Sequence, residues 1–333
     1  MIPAVLPGLD PGTYLPHALH ASTRAWPETN CYVDLWIELL AAQGFEPAAA
    51  LGFTLAQDFE GDQFTFFKVP SADLERLFGL EVLELAIFDS LQAHVSEQIG
   101  RGRIAIVEVD AFFLPDTRGV SYRGSHSKTA IAVNRLDRAG KRIDYFHNTG
   151  FFTLSGEDYD GIMGEAFNGR LPLPPYAEFV KIGRRPMAAE VCAGARVLLA
   201  RHLARRPVEN PLRVWQASFP AHAVLLRERG EAWFHLYAFN TLRQVGANFE
   251  LLASHLGWLA LNGEGGLEVA QRAAEHLAQG AKVMQFKLAR AVARGTFEQL
   301  PPVIDDLAAC YDEIIAALLA RECGGVGASR AAA

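Results

Sequence analysis

"NCYVDLWIELLAAQGF", residues 30–45, decides the fold. Val33, Trp36, Ile37 and Leu40 share one face of a helix, and Gly44 can end it. Thr29 and Asn30 are both plausible N-caps. Cys31 then opens an amphipathic helix, where unpaired backbone N–H groups favour negative charge. It is either a small buried apolar residue or a nucleophile. A cysteine near a helix start is commonly plain packing. The chemical reading therefore needs a base, and a group that orients the base, from elsewhere in the chain.

Downstream, "IAIVEVD" (104–110) is β-branched and apolar, a buried strand ending at Asp110. "KTAIAVNRL" (128–136) and "RIDYFHN" (142–148) are joined by the turn-rich "DRAGK" and predict a hairpin. "FTFFKV" (64–69) reads as a strand and "SADLERLFGL" (71–80) as a short helix. "GRLPLPPYAEFVKIGRRP" (169–186) is proline-rich and reads as a linker or an extended crossover. Beyond it strand signals fade, and alanine- and leucine-rich segments repeat with helical spacing. With 333 residues the chain is long for one core. The expectation is an α+β domain over 1–168, a linker over 169–186, and an α-helical bundle domain over 187–325.

Composition excludes several classes. The chain is 50% hydrophobic and 21% charged, as a folded protein is. Its net charge is −7, and arginine and lysine are scattered, so no nucleic-acid partner is expected. No apolar stretch reaches the roughly 18 residues that span a bilayer, and the start lacks the basic region of a signal peptide. No membrane partner is expected, and a cytoplasmic location is. The four cysteines, Cys31, Cys192, Cys310 and Cys323, are far apart and form no C-x-x-C pair. Neither a cysteine zinc site nor a disulfide framework is expected. His17 and His20 in "HALH" lack an acidic or cysteine residue close in sequence, so no metal is expected there either. The glycines form no phosphate loop. The oligomeric state is left open.

"YRGSHSKTAIAV" offers His126 as the base, just before a strand, with Gly124, Ser125 and Ser127 leaving room around the ring. Asp144 and Asn148 are candidate orienters on the paired strand. If the turn centres near Arg138–Ala139, Asp144 lies opposite position 133, roughly 23 Å along the strand from His126. Asn148 then lies opposite position 129, about 10 Å away, and is the better placed. Asp144 keeps the advantage of its charge, and His147 is a third possibility on the opposite face from Asn148. Asp110 and Asp116, framing "AFFLPDT", are expected to fix turns and to hold the His126 loop. Tyr122 is placed to line a pocket or to cover it.

The order of cysteine helix, His-bearing loop and strand, then Asp or Asn at the next strand's end resembles the papain-like cysteine fold. "NCYVDLWIELLAAQGF", "VEVDAFFLPDT", "YRGSH" and "RIDYFHNTGFFTLSGED" resemble the N-terminal domain of the butirosin biosynthesis protein H family. The whole chain also resembles the bacterial domain of unknown function 1839 family. The resemblance to the butirosin biosynthesis protein H family implies an acyltransferase that moves an aminoacyl group from a carrier protein's phosphopantetheine thioester to a small-molecule amine. Cys31 would be nucleophile, His126 base, and Asn148 or Asp144 orienter. No bound cofactor is implied, since the pantetheine arm arrives on the carrier. The chain lacks the glutamine that papain-like enzymes place shortly before the cysteine, so Asn30 or backbone N–H groups would serve the oxyanion, with Tyr122 and Asp116 nearby. "KIGRRP" (181–186) and "RHLARRP" (201–207) are candidate basic patches for an acidic carrier. A hydrolase with the same residues, or a non-catalytic module that docks a carrier, are the alternatives.

Overall fold

A computed structural model describes residues 3–165 and 175–331. The chain divides into two compact units. The first comprises 1–21, 30–47 and 69–186 and the second 22–29, 48–68 and 187–333.

The first unit is built on a sheet of six strands. These are β1 (Leu80–Glu84), β2 (Ile104–Asp110), β3 (Lys128–Asp137), β4 (Arg142–His147), β5 (Gly150–Ser155) and β6 (Ala177–Ile182). Their order is β1-β6-β2-β3-β4-β5, and every neighbouring pair is antiparallel. Four helices accompany them: α1 (Cys31–Ala42), α2 (Ser71–Phe78), α3 (Leu91–Gly100) and α4 (Glu157–Met163).

The helix read from residues 30–45 forms as expected. Asn30 caps α1 by accepting from the Val33 N–H at 3.0 Å, and Gly44 beyond its end has φ 72°. Val33, Leu35, Trp36, Ile37, Leu39 and Leu40 are all at most 1% exposed. Each such burial contributes about 1.5–3 kcal/mol, which makes α1 the central helix of its unit.

Strand register assigns the faces of the sheet. Phe146 pairs with Ala132, Ala132 with Ile106, and Ile106 with Glu178, so these four share one face. Tyr14 packs its ring on Phe146 at 5.9 Å and donates to Glu38 of α1 at 2.6 Å. At the other end of α1, Tyr32 donates to Glu178 at 2.8 Å. The helix therefore crosses this face from β6 towards β4. The opposite face buries Val107, Ile131, Val133 and Tyr145 against Leu91, Val95 and Ile99 of α3 and Tyr159 and Ile162 of α4.

Three sequence expectations need correction. Residues 169–174 of the expected linker lie outside the described residues, but 177–182 is β6, seated between β1 and β2. The proline-rich lead-in hid a strand whose Ala177 and Val180 are 1% exposed. Gly79 explains how closely β6's exit packs. Its φ is 69°, a Cβ there would lie 2.6 Å from the Arg184 carbonyl oxygen, and its own carbonyl accepts from the Gly183 N–H. Second, "FTFFKV" is no strand: Phe59 and Phe64 form an isolated bridge, and Phe64 packs on Trp215 at 5.7 Å. Third, the domain expected over 1–168 is not one continuous block, because 22–29 and 48–68 belong to the second unit.

That second unit is helical, as its alanine and leucine spacing implies. It contains α5 (Ala188–Ala204), α6 (Pro211–Ala238), α7 (Gln244–Leu261), α8 (Glu268–Arg294) and α9 (Pro301–Ala331). A π-helical turn, Phe239–Arg243, precedes α7. Trp26 is fixed in this unit by donation from its indole N–H to the Ala278 carbonyl at 2.9 Å.

Candidate active site

Cys31 is the first residue of α1, half-buried, and one residue before Tyr32. Glu178 accepts from Tyr32 and, at 2.6 Å, from Tyr176. Two phenol donors thereby satisfy a carboxylate that is 6% exposed, and burial beside Glu178 pushes the Tyr32 hydroxyl pKa well up. These contacts fix the helix start that carries Cys31 over β6.

The same sheet face continues along β2 through Glu108 to Asp110. Lys128 pairs with Asp110 across the ladder and binds Glu108 at 2.7 Å. Asp110 holds His126: its Oδ2 meets the imidazole Nδ1 at 2.5 Å, while Oδ1 accepts from the Ser127 N–H at 3.2 Å and from the Phe112 N–H at 3.0 Å. The ring stacks on Phe112, with centroids 4.5 Å apart and planes 14° apart. Only Nδ1 is engaged by Asp110, which leaves Nε2 as the base position. The His126 side chain is 71% exposed.

The expected orienters are elsewhere. Asp144 pairs with Arg135, not with position 133, because the turn centres one residue later than expected: Asp137 lies opposite Arg142, and the register shift towards Val133 comes only beyond Asp144. It is bound by Arg135 at 2.5 Å and Arg142 at 3.3 Å. Asn148 stands in the two-residue turn between His147 and Gly150 with φ 45°, a conformation asparagine tolerates. The carboxylate on His126 comes from the preceding strand, β2, so neither candidate on the following strand holds the ring.

The remaining candidates have defined places. Asn30 uses its side-chain oxygen as the α1 cap. Tyr122 donates to Asp158 at 3.1 Å, and Arg123 binds the same carboxylate at 2.6 Å. Asp116 accepts from Tyr145 at 2.5 Å and meets His147 Nδ1 at 2.5 Å, and both partners are buried. It is therefore turned inward, away from any substrate or oxyanion role. The arginines and lysine of the two expected basic patches are engaged in part. Arg185 donates to the carbonyls of Gln43 and Gly44 behind α1, Lys181 binds Glu81, and Arg206 donates to the Leu203 carbonyl.

One cluster escaped sequence reasoning. His20, read as lacking an acidic partner, is buried between Glu38 and Asp34, both supplied by α1. Burial alone lowers its pKa, but the hydrogen bonds and charges of Asp34 and Glu38 outweigh this and raise it to about 9. The signal was the i, i+4 spacing of Asp34 and Glu38 on an otherwise apolar helix. Among the described residues, no group of three or more His, Cys, Asp or Glu side chains is arranged to hold a metal. No helix of the described residues is long and apolar enough to cross a membrane.

The class these features define is a two-part protein. A mixed unit with an antiparallel sheet carries a cysteine at a helix start and an exposed His–Asp pair, and a helical unit makes up most of the remainder. The chain belongs to the DUF1839 family: the model of the family's N-terminal domain matches residues 15–182 and that of its C-terminal domain matches 188–320. None of the curated proteins compared with the chain matches it.

Proposed function

We propose that the protein is a cysteine-dependent acyltransferase of papain-like type, similar in plan to the butirosin biosynthesis protein H family. The observation that carries the reading is the His126–Asp110 pair. A carboxylate on Nδ1 fixes the tautomer that leaves Nε2 free to accept a proton, as an acyl-transfer base requires. Cys31, at the start of a helix anchored over the same sheet face, supplies the nucleophile. In the first half-reaction Cys31 gives its proton to His126, the resulting thiolate attacks the carbonyl of a carrier-bound aminoacyl thioester, the carbon–sulfur bond to pantetheine breaks, and the pantetheine thiol leaves with the proton returned by His126. In the second, His126 takes a proton from the amine acceptor, the amine displaces Cys31, and an amide forms. Asp110 assumes the orienting role expected of Asn148 or Asp144.

The exposure of His126 supports a second reading, a cysteine hydrolase, since an open base also activates water. Incubation with aminoacylated carrier proteins, followed by intact-protein and peptide mass spectrometry, tests both. An acyl mass on Cys31 that is lost in Cys31→Ser and discharged by amines supports transfer. Discharge by water alone supports hydrolysis. Absence of an adduct in wild type across a carrier panel, with Cys31 no more reactive than Cys323, overturns the cysteine mechanism.

A further inference from the structure

The molecule contains a second His–Asp pair that the proposed chemistry does not use. His147 is 1% exposed, its Nδ1 meets Asp116 Oδ2, and its Nε2 lies 2.8 Å from Thr129 Oγ1. Thr129 follows Lys128, which is paired with Asp110 across the ladder. The two pairs therefore sit on opposite faces of the same strand end, one exposed and one buried.

They are joined through a single loop. Asp110 opens the segment 111–117 and Asp116 nearly closes it. At the loop's end, Thr117 Oγ1 donates to the Ala111 and Leu114 carbonyls at 3.0 and 2.9 Å, and at its start the Ala111 N–H donates to the Ser127 carbonyl at 2.8 Å. Phe112, on which His126 stacks, lies on this loop. The path from His126 runs through Asp110, along the loop to Asp116, across to His147 and Thr129, and back by β3 to His126. It is a closed ring, so a displacement of Asp116 moves both the carboxylate and the aromatic plane that hold the exposed imidazole.

We propose that His147 and Asp116 are positioning residues that hold the loop bearing Asp110 and Phe112, and so align the His126 imidazole. This rests on His126 being the base of the proposed acyl transfer. The side chains of the pair are only 1% and 6% exposed, which suits a fixed strut. The geometry divides the two bonds of His147 between two substitutions. Asparagine can reproduce the Nδ1 donor to Asp116, and glutamine the Nε2 contact to Thr129.

The experiment measures the His126 tautomer by nitrogen-15 imidazole NMR on the full chain, alongside single-turnover acylation of Cys31. Wild type should show the Nδ1–H tautomer of His126. His147→Gln, which loses the Asp116 bond, should mix the tautomers and slow acylation at least 10-fold with little change in half-saturation. His147→Asn should restore most of both. Thr129→Val, a smaller change, tests the ring where His147→Gln fails to fold, and should produce a lesser shift of the same kind. Folded His147→Gln with an unaltered His126 tautomer overturns the proposal, as does an unaltered tautomer in folded Thr129→Val when His147→Gln does not fold. A tautomer change in a protein that never acylates Cys31 upholds the positioning role and refutes the transferase reading, so the two failures are distinct.

Discussion

Raising the pH should unlock α1 from the segment that precedes it. His20 lies between Glu38 and Asp34 with about 1% of its side chain exposed, and Tyr14 and the His17 N–H also bind Glu38. Its pKa is raised to about 9 from an ordinary 6.5. A group whose folded pKa is raised stabilises fully below 6.5 and loses that contribution as the pH climbs through 9. The difference corresponds to about 3 kcal/mol, a large share of a domain's net stability. His20→Met removes the cation outright and leaves two buried carboxylates without it, at a cost of about 3–5 kcal/mol near neutral pH. The first unit holds one tryptophan, Trp36, which is 0% exposed on α1. Urea titrations of 5-fluorotryptophan protein, followed at the Trp36 resonance, read this unit separately from the second. Wild type should lose about 3 kcal/mol more between pH 6 and pH 10 than His20→Met does. The comparison removes the contribution of ionising tyrosines, which both proteins share. Equal pH dependence in the two would show that His20 is not charged in the folded protein, and the reasoning would fail.

Other outcomes follow from the same structure. Iodoacetamide near neutral pH should label Cys31 before Cys323, although Cys323 is exposed and Cys31 half-buried, and peptide mapping that finds the reverse order counts against an activated Cys31. Asp110→Asn should lower single-turnover acylation by roughly 10²–10⁴-fold while Asn148→Ala changes it little, since tautomer control is lost in the first alone; the opposite pattern returns the orienting role to Asn148. Gly161→Ala places a Cβ 2.2 Å from the Phe113 ring and should destabilise the first unit by about 1–3 kcal/mol, seen as a lower urea midpoint at the Trp36 resonance. His255, fully buried with its pKa lowered to about 4, should make the second unit lose stability as the pH falls below 6.5, and hydrogen exchange of α7 that is unchanged down to pH 4.5 would contradict this.

Local signals made much of this fold legible. The apolar stripe of α1, its Asn30 cap and Gly44 stop, and the β-branched runs of β2 and β3 are patterns contained in a few residues each. What escaped was non-local. β6 reads "AEFVKI", with Glu178 interrupting one face and Lys181 the other, and becomes a strand seated between β1 and β2. "FTFFKV" has the composition of a strand, yet Phe64 packs on Trp215 and Phe67 on Phe53, and beyond one bridge the stretch does not pair. His20 acquires its partners from a helix that starts eleven residues later, which no spacing rule within "HALH" discloses.

The orienter illustrates the same limit at the scale of a single residue. A hairpin with its turn centred near Arg138–Ala139 offers His126 a partner on the strand that follows it, with the register resting on the turn alone. The turn closes one residue later, with Asp137 opposite Arg142, which sets Asp144 against Arg135, and the strand ends at His147 before Asn148 can extend it. A β-strand has two neighbours, however, and β3 pairs as fully with β2 as with β4. From β2 the register is direct. Asp110 stands opposite Lys128, two residues from His126, and its side chain needs no bulge to reach the ring. Asp110 ends its strand and accepts from the Phe112 N–H, so the same carboxylate that fixes a turn, as a strand-end aspartate commonly does, also fixes the imidazole. A residue explained by turn geometry is thus still available to catalysis, and Asp110 is the position where the local and the chemical readings converge.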